Sequence, residues 1–196
     1  MSINLQGIYR QGDIIDIEVL VTTHHKGHFE FAVCPINGGG SDGIPMEVPT
    51  ADCFNNNKSQ FISDELYGAP IDPQYPERAY IAPASVVQYS EAIANVQSVV
   101  GAIYKMKFKL PEDIYGDTVL LQWYYLTANS CKHEGYSEYN FPNDWGADVF
   151  DDGLPDCGEI PPDGNGVPEQ VSFLCAHLVS FPCRPAPLLK PFNVTH

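Results

Sequence analysis

The sequence contains no apolar run that approaches the ~18 residues of a membrane span, and basic residues are scarce. Ten lysines and arginines stand against 25 acidic residues, which gives a formal net charge of −15. A surface with this charge repels phosphate backbones and anionic lipid headgroups. We therefore expect neither nucleic acid nor membrane insertion among the interactions of this protein.

The six cysteines include no C-x-x-C pair, which argues against a zinc ribbon or a thioredoxin-type redox motif. Their even number favours disulfides and an oxidising compartment. Two N-x-S/T sequons, at Asn57 and Asn193, also fit a secreted glycoprotein. Residues 1–4 show no basic or apolar segment of a signal peptide. We expect a secreted, extracellular or cell-surface protein whose native N-terminus lies upstream, with a cytosolic protein as the alternative.

Glycine and proline are frequent instead, with 16 and 17 residues, and aromatic residues make up 12% of the chain. This composition predicts many short strands joined by ordered turns. Alternating apolar residues predict strands at residues 14–21, 29–33 and 104–110, and a nearly continuous apolar run predicts a central strand at 119–126. A last strand is expected over residues 171–179. The whole pattern predicts an all-β fold with one core.

Two segments allow more detailed predictions. The strand at residues 29–33 alternates, so we expect one apolar face in the core and the opposite face, with Glu30, in solvent. Residues 85–101 fit two structures. Their apolar spacing suits one short helix, and a strand over residues 96–100 is the alternative.

Four sequence motifs occur in a fixed order along the chain. They are T-H-H-K-G-H-F-E-F-A-V-C-P (23–35), Q-Y-P-E-R-A-Y (74–80), F-K-L-P-E-D-I-Y-G-D-T-V-L-L-Q-W-Y-Y-L-T-A-N-S-C (108–131) and P-E-Q-V-S-F-L-C-A-H-L (168–178). Together they resemble the chitin-binding type-4 domain, which is the fold of the lytic polysaccharide monooxygenases. The resemblance places this domain over residues 1–181 and leaves residues 182–196 as a proline-rich tail.

This resemblance implies an immunoglobulin-like or fibronectin-III-like β-sandwich with long disulfide-tied loops and a flat face that carries one copper ion. The family holds copper with the amine and imidazole of an N-terminal histidine and with a second imidazole, which matches His25. Imidazole and amine nitrogens suit copper, and the family uses the metal to oxidise a C–H bond of chitin or cellulose. No histidine precedes His24, and Ser172 stands where the family has an aromatic residue beneath the metal. We therefore expect an incomplete site, with copper as cofactor only if the native chain supplies an N-terminal histidine.

The three neighbouring histidines His24, His25 and His28 leave several interpretations open. They fit a polar turn ahead of a strand, with His28 pointing into solvent. They also fit a copper site that includes His25, or a site for another divalent metal at His24 or His25 together with His28. The family often carries an acid or amide near the metal that positions oxygen species, and Glu169 and Gln170 match that place. Without copper, these two are ordinary loop residues.

Tyrosines in the predicted loops are candidates for sugar binding, because an aromatic ring packs well against the C–H face of a sugar. Packing against the core is the alternative. The candidates are Tyr67, Tyr75, Tyr80 and Tyr136.

The positions of the cysteines suggest two disulfides that close long loops. Cys34 and Cys53 bracket the loop after the histidine motif, and Cys157 and Cys175 bracket the loop before the last strand. We expect these two pairs, which leaves Cys131 and Cys183 to pair or to stay free.

Taken together, the sequence predicts a secreted module that binds a chitin-like or cellulose-like polysaccharide and has an incomplete copper site. A copper-dependent lytic polysaccharide monooxygenase is the enzymatic alternative, and it requires an N-terminal histidine in the native chain. A third interpretation is a structural subunit of an extracellular protein assembly, with the proline-rich tail and acidic loops as contacts.

Overall fold

The computed structural model describes residues 5–37, 47–94, 97–116, 118–147, 149–150, 153–158, 170–180 and 192–195. For residues 170–180 and 192–195 the description covers the backbone. Two residues that the sequence singled out, Glu169 and Cys183, lie outside the described residues.

Within this part the chain forms ten β-strands, one short helix and one 3-10 turn. The strands are β1 (Leu5–Tyr9), β2 (Ile14–Val21), β3 (His28–Pro35), β4 (Gln60–Asp64), β5 (Ala79–Tyr80), β6 (Tyr89–Ala94), β7 (Gln97–Lys109), β8 (Val119–Leu126), β9 (Gln170–Ser180) and β10 (Phe192–Thr195). Helix α1 (Ala51–Asn55) follows β3, and the 3-10 turn (Asn143–Trp145) precedes β9. Neither helical segment described here is long and apolar enough to cross a membrane.

The strands form two sheets that pack face to face. Sheet A has the order β1-β9-β8-β3-β5, and sheet B has the order β10-β2-β7-β4, with β6 also paired to β7. Aromatic side chains join the sheets, since the ring centroids of Phe29 and Tyr104 lie 5.5 Å apart and those of Phe31 and Phe108 lie 4.7 Å apart. The prediction of an immunoglobulin-like β-sandwich is confirmed. Strand β10 lies in the segment 182–196, whose assignment as a tail remains a prediction.

The alternation predicted for β2 and β7 is present in the structure. The two strands pair antiparallel, and their inner faces consist of buried residues. The inner pairs are Ile15 with Phe108, Ile17 with Met106 and Val19 with Tyr104. On the outer face, Lys105 forms an ion pair with Glu18, and Lys107 forms one with Asp16. These cross-strand pairs fix the register of the strands, because a slip by one residue would move every apolar side chain into water.

Strand β3 differs from the prediction, because both of its faces are buried. Glu30, expected in solvent, is only 6% exposed. Two separate groups of residues cover the outer face of the strand. Phe54 of helix α1 packs beside Ala32, and the ring of Tyr136 packs against His28. A local alternating pattern cannot reveal such a cover, since the covering residues are distant in sequence.

The disulfides agree with the prediction at one pair and differ at the other. Cys34 and Cys53 are bonded, as expected, and Thr50 accepts a hydrogen bond from the Cys53 amide that begins helix α1. Cys157 is bonded to Cys131, so the predicted partner Cys175 was wrong. The Cys131–Cys157 bond closes the loop that runs from the end of β8 across the outer face of sheet A.

Within residues 85–101, the described residues 89–94 and 97–101 belong to the paired strands β6 and β7, so the strand alternative was right over residues 97–100 and the predicted helix is not formed by the described residues. Strand β6 pairs antiparallel with the first half of β7, from Tyr89 opposite Ala102 to Ala94 opposite Gln97. Strand β2 reaches β7 only as far as the pair of Val21 with Ala102. Beyond this pair, among the described residues, β7 is joined to β6 alone. The hairpin therefore extends past the end of sheet B at which β2 leads into the histidine motif.

Candidate functional site

His24 and His25 belong to a tight connection between β2 and β3, which we call the histidine loop (residues 22–27), and His28 is the first residue of β3. Lys26 and Gly27 adopt positive φ angles of 55° and 98°. A Cβ atom on Gly27 would lie 1.9 Å from the carbonyl oxygen of Leu126, so only glycine fits there. The amide of Ile81 donates to the Gly27 carbonyl over 3.2 Å. These contacts hold the loop against the ends of β5 and β8.

His24 uses both ring nitrogens inside the protein. Its Nδ1 accepts a hydrogen bond of 3.1 Å from the amide of Lys26, which requires the proton to sit on Nε2. Nε2 then donates to the carbonyl of Ala82 over 2.9 Å. His24 therefore offers no lone pair to a metal in this conformation, and it acts as a clamp between the histidine loop and the segment after β5.

His25 is half-buried and is held mainly through its backbone. Its amide donates to the hydroxyl of Tyr125 over 2.9 Å, and its carbonyl accepts from the amide of Ala128 over 3.0 Å. The side-chain amide of Asn129 contacts Nδ1. Among the described residues Nε2 has no hydrogen-bond partner. His25 is thus the one imidazole of the loop that presents a nitrogen to the surface.

His28 is fully buried, so the prediction that it points into solvent was wrong. Its Nδ1 lies 2.6 Å from the hydroxyl of Tyr136, and its Nε2 lies 3.4 Å from a carboxylate oxygen of Glu30. The ring of His133 packs edge-on against it, with 5.3 Å between the centroids. Side chains at i and i+2 of a strand share one face, which places His28 and Glu30 together beneath the loop that follows β8.

The electrostatics of this pair follow from its burial and from Lys58. Burial lowers the pKa of His28 to about 4, so its ring is neutral near pH 7. Burial alone would raise the pKa of Glu30, but its contacts with His28 and with the Lys58 ammonium, 2.7 Å away, lower it to about 2. The buried, neutral His28 beside the Glu30–Lys58 ion pair therefore has a structural role. This arrangement leaves His28 no nitrogen for a metal at the surface.

Of the three predicted histidines, His25 therefore supplies the one accessible imidazole for the copper that the resemblance implies. No group of three or more His, Cys, Asp or Glu side chains gathers within the described ranges. One nitrogen does not fix a copper ion, because chelation by several donors gives the affinity. These residues alone do not fit the metal, and the alternative of a metal at His24 or His25 together with His28 is excluded by the positions of those rings.

Three loops meet at the end of the sandwich that carries His25. They are the histidine loop T-T-H-H-K-G (22–27), the segment I-A-P-A-S-V-V-Q (81–88) and the segment T-A-N-S (127–130). The hydrogen bonds of His24 to Ala82 and of His25 to Ala128 join them. None of the three contains an acidic residue, although the chain has 25. We call this end the histidine face.

The predicted sugar-binding role fails for three of the four tyrosines because they are buried. Tyr67 is 8% exposed and donates to the carbonyl of Ile103, while Tyr80 and Tyr136 are at most 1% exposed. Tyr80 donates to Asp72 over 2.7 Å. Their hydroxyls therefore stabilise loops from within, and packing, the alternative interpretation, is what the structure shows.

Tyr75 is half-buried, and Arg78 covers one face of its ring. The guanidinium carbon of Arg78 lies 3.6 Å from the ring centroid. The ring also approaches Gly135 so closely that a Cβ there would lie 2.3 Å from Cε2. A sugar-binding role for Tyr75 stays a prediction. The exposed tyrosines are instead Tyr89, at 58%, and Tyr115, at 70%, which the sequence did not single out.

The remaining predicted residues lie partly beyond what the structure describes. The backbone of Gln170 pairs with Leu126 and so begins β9 at the histidine face, and Glu169 lies outside the described residues. The side chain of Asn57 donates to the Cys53 carbonyl, and Ser59 of the same sequon is fully buried. This geometry does not favour a glycan at Asn57. A glycan at Asn193 stays a prediction.

Sequence reasoning missed two residues that hold His25, namely Tyr125 and Asn129. Both lie in the motif over residues 108–131. A signal was present, because a tyrosine on the core-facing parity of β8 must satisfy its hydroxyl inside the protein. The partner of that hydroxyl, 100 positions earlier in the chain, could not be read from the sequence.

Comparisons with known proteins agree with this architecture. The sequence model of a family described as "Lytic polysaccharide mono-oxygenase, cellulose-degrading" matches residues 5–144. A solved structure titled as the lytic polysaccharide monooxygenase AA15 from Thermobia domestica in the Cu(I) state matches with a TM-score of 0.51, 20% identity and 90% of this chain covered. This chain spans 63% of that structure's length. A search of curated proteins found no match.

The structural match supports the sandwich fold, since 20% identity carries no more than that. The family match extends over well more than half of the 196 residues, and it includes the histidine loop, β3 and β8. The chain therefore belongs to the lytic polysaccharide monooxygenase family.

Proposed function

We propose that this protein is a secreted module that binds the surface of a neutral, chitin-like or cellulose-like polysaccharide through the histidine face. The observation that carries the proposal is the lack of acidic residues in the three described loops that form this face, in a chain with a net charge of −15. Acidic residues are otherwise spread along the sequence. Lys26 is the one lysine or arginine in these loops, and a patch without carboxylates on such a protein suits a polymer that is itself uncharged.

The side chains exposed on this face support the same partner. They are short hydroxyl and amide groups, which can exchange hydrogen bonds with sugar hydroxyls without losing a charge to burial. The exposed members are Thr22, Thr23, Ser85, Gln88, Asn129 and Ser130. His25 lies among them and adds one further polar contact.

Copper, when bound in this family, supplies the oxidising chemistry, and only His25 of the described residues is placed to contribute a ligand. Catalysis is therefore the second candidate function. The open Nε2 of His25 favours it, because Tyr125 fixes the backbone amide of this residue and Asn129 contacts Nδ1 of its ring. Further nitrogen donors would have to come from outside the described residues. We propose binding as the function that the described residues can perform by themselves.

Secretion is proposed on two grounds. The disulfides Cys34–Cys53 and Cys131–Cys157 require an oxidising compartment to form and persist. Insoluble polysaccharides of the chitin and cellulose type are also met outside the cytosol.

The decisive experiment mixes the purified protein with insoluble chitin or cellulose, sediments the polymer and measures the protein left in solution. We expect retention on at least one of the two polymers, and retention should persist in 1 M NaCl because ion pairs do not carry it. Protein that stays entirely in the supernatant with both polymers would refute the proposal. The intact mass and first residue of the protein from its natural source decide whether the catalytic alternative applies.

A further inference from the structure

The β6–β7 hairpin lies beside the histidine face and extends beyond the end of β2. One side of the hairpin is therefore a continuation of the core-facing side of sheet B. Tyr89 is paired with Ala102, and Glu91 is paired with Val100. Paired residues of antiparallel strands, and residues two apart on one strand, project to the same side. Tyr89, Ala102 and Val100 therefore share the side of sheet B that faces the core further along β7.

Exposure changes abruptly along this side. Ala102 and Tyr104 are completely buried, whereas Val100 is 61% exposed and Tyr89 is 58% exposed. Beyond Ala102 the core-facing side of β7 is therefore no longer covered by sheet A, and the described residues Ser98 and Val100 on this side are exposed. An exposed tyrosine and an exposed valine side by side are unusual next to a buried core, and nothing in the packing of the sandwich requires them.

Tyr89 adjoins the histidine face along the chain, because it directly follows Gln88, the last residue of the segment 81–88. The amide of Gln88 donates to the hydroxyl of Tyr67 over 2.9 Å. The ring of Tyr67 packs against that of Tyr104, with 5.6 Å between the centroids, and Tyr104 donates to the carbonyl of Ala82 over 2.9 Å. The same carbonyl accepts from Nε2 of His24. Strand β6 therefore begins, with Tyr89, at the border of the histidine face.

We propose that the hairpin side with Tyr89 and Val100, which we call the ledge, is a second contact surface for the polysaccharide. This inference rests on the proposed function and adds a subsite to it. A tyrosine ring offers an apolar face to the C–H groups of a sugar ring and a hydroxyl to its oxygen atoms. A polymer chain that lies on the histidine face and runs toward β7 meets the ledge next.

A second copy of this chain is a poorer occupant. A stable protein interface buries about 800 Å² on each partner, and two side chains on a narrow hairpin provide far less. The ledge also presents no pattern of opposite charges, since Glu91, which accepts a hydrogen bond from Ser98, is the one charged side chain among the described residues on this side. A single polymer chain needs only a few such contacts.

The chain offers a matched control for the test. Tyr115 is 70% exposed and lies at the opposite end of the sandwich, since a Cβ on the adjacent Gly116 would lie 3.4 Å from Pro35 at the far end of β3. Tyr89→Ala and Tyr115→Ala remove the same side chain from two exposed places. Tyr89→Phe keeps the ring and removes only the hydroxyl.

The experiment measures the dissociation constant of each variant for the insoluble polymer that retains the wild-type protein. We expect Tyr89→Ala to weaken binding about fivefold, the effect of one aromatic contact, and Tyr89→Phe and Tyr115→Ala to bind nearly as the wild type does. Val100→Ser should weaken binding independently. Wild-type binding that survives both Tyr89→Ala and Val100→Ser would refute the ledge and leave the proposed function intact. Failure of the wild type to bind any polymer would refute both.

Discussion

Tyr136 and His28 form a hydrogen bond of 2.6 Å between the phenol oxygen and Nδ1, although 108 positions separate them in the sequence. Both side chains are buried. Glu30 is ionised and can only accept, so Nε2 of His28 carries the ring proton, and Nδ1 accepts from the phenol. Tyr136 belongs to the loop after β8, and its hydrogen bond to Nδ1 therefore requires the neutral form of His28.

This arrangement predicts that the protein loses stability when His28 becomes protonated. The pKa of His28 is about 4 in the folded protein and about 6.5 in an unfolded chain. Between these values the unfolded state binds more protons, so the free energy of unfolding falls as the pH falls. We expect a loss of about 2 kcal/mol from this group between pH 7 and pH 5, measured by urea denaturation.

A His28→Gln variant tests whether the loss of stability between pH 7 and pH 5 comes from His28. This variant is less stable at pH 7, since glutamine cannot reproduce both contacts, but its stability should change less between pH 7 and pH 5. The contribution of Glu30 has the same sign and begins only below its unfolded pKa of about 4.5. His133, whose pKa is also lowered by burial, adds in the same window and remains in both proteins. Equal losses in the two proteins would contradict the assignment to His28.

The sequence predicted those parts of the fold that depend on local periodicity. Residues 14–21 alternate clearly, and β2 buries Ile15, Ile17 and Val19 as expected. The apolar run at 119–126 correctly indicated a central strand, because β8 lies between β3 and β9. The resemblance of the first motif to a known family also singled out His25, whose role as a metal ligand stays a prediction.

Other features could not be predicted, because they depend on contacts between distant segments. From the sequence alone, the outer face of β3 is expected in solvent. In the structure, Phe54 and Tyr136 cover this face. The apolar spacing of residues 85–101 suits a helix. In the structure, β6 and the first half of β7 instead pair with each other as strands. Likewise, cysteine spacing alone does not determine which bonds form, and this ambiguity led to the wrong partner for Cys157.

The Cys131–Cys157 bond predicts a specific result in peptide mapping under non-reducing conditions. Digestion should yield one linked peptide pair with Cys131 and Cys157 and another with Cys34 and Cys53. A peptide that links Cys157 to Cys175 would contradict the structure.

The same bond should contribute to stability by restricting the unfolded chain. It closes a loop with a sequence separation of 26, for which the chain-entropy estimate is about 3 kcal/mol. A Cys131→Ser, Cys157→Ser double variant should lose about this amount in urea denaturation while it keeps the Cys34–Cys53 linkage. Unchanged stability would show that the loop after β8 is held by packing alone.

The geometry of the histidine loop predicts that position 27 must be glycine. Gly27 has a φ of 98°, and a Cβ there would lie 1.9 Å from the Leu126 carbonyl, which is backbone and cannot move aside freely. Gly68 has a similar positive φ of 72° but no atom within 4 Å of the added Cβ. Gly68→Ala therefore measures the cost of the backbone conformation alone, about 1–2 kcal/mol.

Gly27→Ala should cost at least about 3 kcal/mol, because the clash adds to the same conformational strain. A loss of this size lowers the thermal midpoint of a chain of this length by roughly 6–12 °C. The loop would also have to move away from β8, which carries His25 away from Tyr125. Retention on polysaccharide should therefore fall in Gly27→Ala and not in Gly68→Ala, measured below the unfolding temperature of both. Equal thermal midpoints for the two variants would show that the histidine loop is not held against β8 in this way.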